Sequence, residues 1–506
     1  MSLAQVTSFA IDGIETRRVT VEADIRLGLP AFNVVGLADK SVREARERVR
    51  SAITNSGFEF PQKRITVNLA PAYLRKEGPH FDLPLAIAVL AASGQLESAR
   101  LRDCAVAGEL ALDGELRGIR GALALAEGAR HHGLTRLLLP SARAREAALV
   151  PDLEVLGVRT LQEAVEVLRG AVPAPKLPAG PIEPECNRED FDLADVRGHN
   201  GLVAQLEVAV AGGHHLFLQG PPGTGKTMIA RRLPTLLPPL TESEAVEVTK
   251  IHSIVGLHEG HGLVSERPFR SPHHLISASG LVGGGATPRP GEITLAHRGV
   301  LFLDELSEFN RSALEALRQP LEDGRVVVVR AQRVLTFPTG CMLVAASNPC
   351  PCGDGGDRCR CSAAELARHQ RRLSGPLLDR IDITMTVPRP TASRLRDERA
   401  PSSAEVRARV SAARELQSLR LRGTPATCNA HMTSAMLREL ARITPSARRR
   451  LFELHDSEGL SARGHHRVLR VARTIADLQG SPAVGPEHIQ SALILRTDPA
   501  PGALAA

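Results

Sequence analysis

The sequence predicts an α/β protein organised around a phosphate-binding loop, with an α+β domain before the loop and a helical region after it. Three observations support this fold class. A glycine-rich loop joins a short apolar strand to a helix, a second apolar strand about eighty residues later ends in two carboxylates, and the chain beyond residue 389 is helical and rich in arginine. In an open parallel sheet, the carboxyl ends of such strands form the edge where ligands bind.

The glycine-rich loop, residues 220–227, matches the pattern G-x-x-x-x-G-K-[ST] at every position. The apolar run 216–218 precedes it as a strand, and helix-forming residues 228–233 follow. The backbone N–H groups of such a loop point at phosphates, and we expect Lys226 to reach the β- and γ-phosphates and Thr227 to hold Mg²⁺. The predicted ATP-binding residues are Gly220, Pro221, Pro222, Gly223, Thr224, Gly225, Lys226 and Thr227.

The second motif is the apolar run 299–303, which ends in Asp304 and Glu305. A buried parallel strand is expected to be apolar throughout, as this run is. We expect Asp304 to complete the Mg²⁺ shell and Glu305 to orient and polarise the attacking water. The alternative is a strand that simply stops at surface acids, which the phosphate-binding loop upstream disfavours.

Composition limits the possible partners and the compartment. The 506 residues carry a net charge of +7, which favours acidic partners such as nucleic acid without requiring them. The chain has no Trp and one Tyr, so aromatic platforms for stacking bases are not expected. The start lacks the features of a signal peptide, and apolar runs such as 83–92 are too short to span a bilayer. We therefore expect a cytoplasmic protein without membrane association, in which the eight cysteines are free thiols or metal ligands.

The chain divides into segments of different character. Strands at 19–25 and 64–69, helices at 38–56, 83–92 and 122–132, and a hairpin within 105–116 predict a mixed α+β domain. The expected boundaries are an α+β domain at 1–168, a proline-rich linker at 169–189, an ATPase core at 190–388, a helical C-terminal lid domain at 389–496 and a disordered tail at 497–506.

Between the two nucleotide motifs lies an insert that contains His273, His274 and a glycine-rich stretch at 280–285, which we expect to be functional or mobile. A helix is predicted over 314–321. Two β-rich runs, 325–329 and 333–337, then predict a hairpin with Arg330 and Arg333 at its tip. The next core strand, 342–347, ends at Asn348.

A cluster of cysteines follows that strand directly. Cys350, Cys352, Cys359 and Cys361 form two close pairs within twelve residues, a pattern that suits tetrahedral Zn²⁺. The C-x-C spacing is tighter than the usual C-x₂-C of zinc sites, so four reduced thiols on a glycine-rich loop are the alternative. We favour a metal site.

The first domain resembles the proteolytic domain of Lon proteases, within the ribosomal-S5-like fold class. The resemblance rests on Lys-Glu-Gly-Pro at 76–79 and Gly-Glu-Leu-Ala-Leu-Asp-Gly at 108–114. The family's nucleophilic serine is replaced by His80, and its lysine falls near Leu123 with no lysine nearby. A Ser–Lys dyad needs both groups, so the resemblance implies the fold without protease activity, and His80 is better explained as a structural histidine.

Nearly the whole chain resembles the Mg-chelatase-like AAA+ ATPases of the YifB/ComM group. The resemblance rests on the run Gly-Glu-Ile-Thr-Leu-Ala-His at 291–297 that leads into the strand at 299–305, on Asn-Pro-Cys-Pro-Cys-Gly at 348–353 and on Ala-Arg-Thr-Ile-Ala-Asp-Leu at 472–478. It implies an AAA+ core with a helix-2 insert and a presensor-1 hairpin, followed by a helical lid. It also implies a ring, usually a hexamer.

The resemblance assigns further catalytic roles. Asn348 matches sensor 1, which helps to position the attacking water. Arg380 matches the arginine finger, which reaches the γ-phosphate bound by a neighbouring subunit, where it neutralises developing charge. Arg463 matches sensor 2 in the lid, with Arg467 as the alternative.

Two functions follow from the resemblance. ComM-type members are similar to ring helicases that promote branch migration in natural transformation, which implies a motor on single-stranded or branched DNA. The alternative is a chelatase-type motor subunit that remodels a partner enzyme. The protease-like domain and the cysteine cluster favour the first. Arg330 and Arg333 would contact DNA phosphates, and segment 389–480, with 18 Arg, no Lys and 9 acidic residues, would add a second basic surface.

Overall fold

The computed structural model describes residues 2–37, 39–173, 175, 191–258, 262–285, 288–330, 333–373, 377–393, 400–457 and 460–496. They form two compact units, one made of the described residues that fall within 1–185, 242–265 and 331–336, and one made of those that fall within 186–241, 266–330 and 337–506. Most of the expected linker and all of the expected disordered tail lie outside the described residues.

The chain alternates strands and helices. The strands are β1 (Ser2–Asp12), β2 (Glu15–Arg26), β3 (Ala31–Val35), β4 (Arg64–Ala70), β5 (Cys104–Val106), β6 (Glu109–Leu110), β7 (Leu116–Arg117), β8 (Arg136–Pro140), β9 (Glu154–Val158), β10 (Leu216–Gln219), β11 (Phe269–Arg270), β12 (Gly283–Gly284), β13 (Arg289–Pro290), β14 (Val300–Leu303), β15 (Arg325–Arg330), β16 (Arg333–Pro338), β17 (Met342–Ser347) and β18 (Ile383–Thr386). The helices are α1 (Lys40–Asn55), α2 (Asp82–Ala92), α3 (Ala122–His131), α4 (Ser141–Ala147), α5 (Leu161–Arg169), α6 (Asn200–Gly212), α7 (Lys226–Leu236), α8 (Glu242–Val255), α9 (Ala278–Val282), α10 (Glu292–Leu295), α11 (Arg311–Ala316), α12 (Arg318–Asp323), α13 (Ala363–Leu373), α14 (Ser403–Arg420), α15 (Ser434–Leu440), α16 (Pro445–Ser457), α17 (Ala462–Leu478) and α18 (Pro486–Ile494).

The first unit is built on a mixed seven-stranded sheet in the order β3-β4-β2-β1-β5-β8-β9. Helix α2 is buried along its whole length, because it is apolar on every face, and it packs on β1 and β2. The predicted α+β character is confirmed. The hairpin expected over 105–116 is shorter than predicted: it consists of β6 and β7, while β5 joins the main sheet beside β1.

Helix α8 belongs to the first unit, although its sequence falls inside the expected ATPase core at 190–388. Its Ser253 Oγ accepts a hydrogen bond from Gly121 N at 3.0 Å, and Lys250 Nζ lies 2.7 Å from a carboxylate oxygen of Glu127. Val246, on the same face, packs against the hydrophobic core of the first unit. The sequence could not show this, because an amphipathic helix does not reveal which surface covers its apolar side.

The second unit contains a five-stranded sheet in the order β11-β14-β17-β10-β18, and every neighbouring pair is parallel. Strands β14 and β17 are buried throughout, as continuous apolar runs require. Because β17 lies between β10 and β14, the carboxyl ends of these three strands are adjacent. The fold therefore brings together the glycine-rich loop, Asp304 and Asn348.

Two helices of the second unit differ from expectation, and the glycine-rich insert contains regular secondary structure. The single helix predicted over 314–321 is divided into α11 and α12, which meet at Leu317. The glycine-rich insert contains α9 and the paired strands β12 and β13. The sequence predicts a regular helix from Val468 to Leu478, but helix α17 begins six residues earlier, at Ala462. The Ser461 side chain accepts a hydrogen bond from Gly464 N there, so Arg463 lies in the first turn.

Strands β15 and β16 form the predicted two-stranded hairpin, with Arg330 and Arg333 at the ends of the strands. The side chains of these two arginines lie outside the described residues. Among the helices of the described part of the chain, none has the length and apolar character needed to cross a bilayer.

Candidate active site

The phosphate-binding loop connects the end of β10 to the start of α7, as the sequence predicts. Gly223 and Gly225 have φ values of 74° and 88°, a left-handed conformation that favours glycine. A Cβ atom on Gly220 would lie 2.2 Å from Val387 O, so this position has no room for a side chain. The glycines are thus required by the turn as well as by the approach of phosphate.

Lys226 lies over this loop and is largely buried. Its Nζ donates hydrogen bonds to Gly220 O at 2.6 Å, to Pro221 O at 2.8 Å and to Asn348 Oδ1 at 3.1 Å. Burial lowers the pKa of Lys226, and the carboxylates of Asp304 and Glu305 act in the opposite direction. The contact with Asn348 brings the expected sensor residue to the phosphate-binding lysine.

Thr227 and Asp304 meet across the neighbouring elements α7 and β14. Thr227 Oγ1 donates a hydrogen bond to Asp304 Oδ2 at 2.7 Å. A hydroxyl and a carboxylate oxygen at this distance are suitable ligands for Mg²⁺, which binds hard oxygen donors and keeps several of its waters. The donor set therefore fits the metal that the sequence predicts.

Glu305 adopts a left-handed backbone conformation, with φ 53° and ψ 50°. A non-glycine residue in this region carries strain of about 1–3 kcal/mol, and such strain is concentrated at functional sites. The carboxylate is 59% exposed, and its Oε2 lies 3.6 Å from His274 Nδ1. The pairing with His274 was not predicted. The adjacent histidines of the insert were the available signal, but their spacing alone indicates no partner.

Asn348 is also fixed through its backbone. His369 on α13 places its Nε2 3.0 Å from Asn348 O, while the Asn348 side chain contacts Lys226. The role of His369 was not predicted, because it lies 21 residues from Asn348 in a helix without a motif. Both the backbone carbonyl and the side-chain amide of Asn348 therefore have hydrogen-bond partners.

Arg380 and Arg463 meet at a shared carboxylate. Arg380 Nη2 lies 2.7 Å from Glu322 Oε1, and Arg463 Nη2 lies 3.4 Å from the same oxygen. Arg380 Nε also donates to Arg318 O at 3.1 Å, and its side chain is 8% exposed, whereas that of Arg463 is 64% exposed. The alternative for sensor 2, Arg467, lies 3.8 Å from Asp382.

The four cysteines predicted as metal ligands converge. Cys350 Sγ lies 3.3 Å from Cys352 Sγ and 3.6 Å from Cys359 Sγ, and Cys352 Sγ lies 3.8 Å from Cys359 Sγ. The sulfurs of Cys350, Cys352, Cys359 and Cys361 all lie within 4.8 Å of one another. The arrangement is compact enough to enclose one ion.

The protease-like position in the first unit is filled by a buried histidine. His80 Nε2 lies 3.0 Å from Phe9 O, and burial lowers the pKa of His80 to about 4. Lys76 is also fully buried, and its Nζ donates to Pro71 O. These contacts are those of satisfied structural residues, in agreement with the interpretation of His80 from sequence.

Known families match most of the chain. Residues 192–395 match the family "Magnesium chelatase, subunit ChlI", residues 21–143 match "Subunit ChlI of Mg-chelatase", and residues 400–496 match "Magnesium chelatase, subunit ChlI C-terminal". The three matches agree with the parallel α/β sheet and with the nucleotide motifs at its edge.

Individual relatives extend the match to nearly the full length. The chain is 43% identical to competence protein ComM of Haemophilus influenzae over 97% of both chains. It is 44% identical to the uncharacterized protein YifB of Escherichia coli over 98% of this chain and 97% of that protein. It is 26% identical to the magnesium-chelatase 38 kDa subunit of Rhodobacter capsulatus over 62% of this chain and 85% of that subunit. With the predicted motifs at one sheet edge, these matches place the chain in the magnesium-chelatase-like AAA+ ATPase family, in its YifB/ComM group.

Proposed function

We propose that this chain is a Mg²⁺-dependent ATPase that works as a ring motor on DNA, promoting branch migration or unwinding in natural transformation or recombination. The observation that carries the ATPase half is the convergence of Lys226, Thr227, Asp304 and Asn348 at one sheet edge. The DNA half is supported by the relation to a competence protein and by the arginines of the β15–β16 hairpin.

The residues of the site divide the work of hydrolysis. Lys226 would exchange its contacts with Gly220 O and Pro221 O for phosphate oxygens. Thr227 and Asp304 would hold Mg²⁺, which when bound neutralises charge on the transferred phosphate. Glu305 would orient and polarise the attacking water, for which its carboxylate has to leave His274.

Assembly into a ring, as a hexamer, would complete the site. Arg380 would reach the phosphate bound by a neighbouring subunit, and Glu322 would orient both Arg380 and Arg463 towards that neighbour. A preorganised guanidinium loses less freedom when it binds phosphate than a free one does. We also infer that residues 1–168 adopt the Lon-protease-like fold without peptidase activity, and that residues 389–496 act as the lid.

Not every arginine of segment 389–480 is available for DNA. Arg420 and Arg473 both bind Asp477, and Arg473 is only 1% exposed. Arg409 binds Glu207 at 2.7 Å. Exposed arginines that remain include Arg448 and Arg449, which line an open cleft with the exposed ring of Phe452. The basic surface of this segment is therefore narrower than its composition suggests, and it contains an aromatic ring that a base could stack on.

The test is ATP turnover by the purified full chain with and without Mg²⁺, and with single-stranded, duplex or branched DNA. We expect turnover to need Mg²⁺ and to rise with single-stranded or branched DNA, and DNA binding to weaken steeply with salt because counterions are released. A chain that neither binds DNA at low salt nor shows DNA-stimulated turnover contradicts the DNA half and leaves the ATPase half intact.

The second candidate is a chelatase-type motor that remodels a partner protein. The match to a magnesium-chelatase subunit favours it, but that match covers 62% of this chain, whereas the competence protein covers 97%. The same turnover assay separates the two, because a remodeller needs a protein partner rather than DNA for stimulation.

A further inference from the structure

We propose that Cys350, Cys352, Cys359 and Cys361 bind one structural Zn²⁺, and that this ion holds the loop carrying Asn348 against the phosphate-binding loop. The metal site stands on its own geometry. Its effect on ATP turnover rests on the proposed ATPase activity, so the two are tested separately.

The sulfur positions fit a tetrahedral ion. A Zn–S bond of about 2.3 Å in a regular tetrahedron places the sulfurs about 3.8 Å apart. The separations Cys350–Cys352, Cys350–Cys359 and Cys352–Cys359 are 3.3, 3.6 and 3.8 Å, so only small movements would complete the shell. A disulfide needs a sulfur separation of about 2.05 Å, which none of these pairs approaches.

The loop also supplies a backbone donor to the sulfurs. Cys352 N donates to Cys361 Sγ at 3.3 Å, and Gly353 N donates to Cys350 O at 3.0 Å, which closes the turn after the first cysteine pair. Gly353 and Gly355 have φ values of 88° and 66°, which allow the chain to turn its N–H groups inward. Such donors offset thiolate charge and orient the ligands of a metal site.

The position of the cluster links it to the nucleotide site. Cys350 follows Asn348 by two residues, and α13, which carries His369, begins two residues after Cys361. A Cβ atom on Gly353 would lie 2.8 Å from Pro222 Cδ, so the cysteine loop abuts the phosphate-binding loop with no free space. A metal that fixes this loop therefore also fixes Asn348 relative to Lys226.

A closed shell of four thiolates leaves no position for substrate, so the role is structural. Loss of the ion would let the loop between β17 and α13 move away from Pro222. Because displacement of a positioned group by about 1 Å can lower turnover about 100-fold, a loosened Asn348 would slow hydrolysis while ATP binding at Lys226 remained.

The first experiment is elemental analysis of the full chain purified without added metal from zinc-replete cells. We expect about one zinc per chain in the wild type and in Cys104→Ala, a control thiol buried in the first unit, and loss of zinc in the double variant Cys359→Ser/Cys361→Ser. Substitution with Co²⁺ should give thiolate-to-metal charge-transfer absorption in the wild type only. A zinc-free wild type in which all four thiols titrate as free overturns the site.

The second experiment tests the effect of the cysteine loop on ATP turnover while leaving the four cysteines in place. Gly353→Ala places a methyl group against Pro222 without removing a ligand, and Gly423→Ala is its control, since Gly423 has a φ of 81° and nothing within 4 Å of an added Cβ. We expect Gly353→Ala to keep its zinc and lose turnover about tenfold or more, and Gly423→Ala to keep both.

Zinc removal by a chelator should lower turnover in the same way, and added zinc should restore it. Unchanged turnover in Gly353→Ala and in the zinc-free wild type would overturn the proposed effect of the cysteine loop on ATP hydrolysis. The zinc content would still show whether the four cysteines bind the metal. A zinc-bound wild type that turns over no ATP under any condition contradicts the proposed function instead, and its zinc content still supports the site.

Discussion

At the scale of single residues, the candidate site combines groups already positioned for chemistry with one group that has to move. Lys226, Thr227 and Asp304 already lie within hydrogen-bonding distance of their expected partners. Glu305 instead combines a strained backbone with a contact between its Oε2 and His274 Nδ1 at 3.6 Å. The resting position of Glu305 is therefore set by the insert that carries His274, as well as by β14.

Replacing Glu305 tests its role as the residue that activates water. Glu305→Gln should lower ATP turnover about 100-fold or more, because general base catalysis contributes about 10²–10⁴-fold, while ATP binding remains. Lys226→Ala should instead weaken nucleotide binding itself. The measurements are turnover and equilibrium binding of a labelled nucleotide, with Glu308→Gln as a nearby exposed control. Turnover near the wild-type value in Glu305→Gln would show that Glu305 is not the residue that activates the water.

His80 gives the first unit a pH-dependent stability. Because burial lowers the pKa of His80 from 6.5 to about 4, the folded state binds this proton less readily than the unfolded state. The stabilisation is complete above pH 6.5 and is lost as the pH falls from 6.5 through about 4, by on the order of 3 kcal/mol in total.

Urea unfolding of the full chain from pH 7.5 to pH 4.5 measures this effect. The His80→Gln variant should show a shallower decline in unfolding free energy over that range than the wild type. The exposed His131→Gln variant should follow the wild type. Parallel curves for His80→Gln and the wild type would show that His80 does not titrate differently in the folded state.

At the scale of elements, the strand order of the five-stranded sheet determines which motifs lie next to one another. Strand β17 pairs with both β10 and β14, so one inserted strand carries Asn348 into the space between the phosphate-binding loop and Asp304. The hairpin β15–β16 precedes β17 directly along the chain. Movement of this hairpin would therefore be transmitted to β17 through a few residues of backbone.

The hairpin provides the test of DNA contact. Arg330→Ala/Arg333→Ala should weaken DNA binding at low salt and flatten its dependence on salt, because each lost phosphate contact lowers the salt slope by about one. Basal turnover without DNA should persist. The measurements are binding isotherms at several salt concentrations and an unwinding or branch-migration assay.

Arg311→Ala is the control for the hairpin variant, since Arg311 is 89% exposed and pairs with Glu315 on the same helix at 2.9 Å. Equal DNA binding and unwinding by the wild type and the hairpin variant would show that Arg330 and Arg333 do not contact DNA. The exposed Arg448 and Arg449 would then be the next candidates.

At the scale of the whole molecule, the chain forms two compact units whose boundaries do not follow the order of its motifs. Residues 242–265 lie within the ATPase sequence but belong to the first unit, where Glu146 accepts hydrogen bonds from Ser253 and Leu123. The first unit thus receives a helix from within the nucleotide-binding sequence. The proposed ring would add a further level of organisation, and Arg380 is the residue that tests it.

Mixing two inactive variants tests whether the active site is shared between subunits. Lys226→Ala would lack the proposed phosphate contact, and Arg380→Ala would lack the proposed arginine finger, a group that contributes about 10³–10⁵-fold to turnover in related chemistry. Mixed rings would contain some sites with an intact Lys226 from one chain and an intact Arg380 from its neighbour. We expect turnover well above the sum of the separate variants.

Co-assembly in the mixture has to be shown independently, by light scattering or by pull-down between differently tagged chains. Lys226→Ala mixed with itself under two tags is the control. A co-assembled mixture that shows no recovery contradicts the shared site, and would place the function of Arg380 at Glu322 within its own chain.

The elements that can be predicted from the sequence are those whose signals are local. The phosphate-binding loop, Asp304 and the strands around them could be predicted because backbone geometry and buried parallel strands impose residue types at fixed positions. The cysteine cluster was predictable for the same reason, since its four cysteines lie within twelve residues. Boundaries were less certain, as the division of the helix at 314–321 into α11 and α12 shows.

The contacts between distant segments could not be predicted from local signals and are visible only in the folded chain. The pairing of Glu305 with His274, the support of Asn348 by His369, the meeting of Arg380 and Arg463 at Glu322 and the place of α8 in the first unit all join residues far apart in the chain. A local pattern shows that a side chain is polar or that a helix has an apolar face. It cannot show which distant group will hydrogen-bond to that side chain or cover that face, because both depend on how the sheets and helices pack.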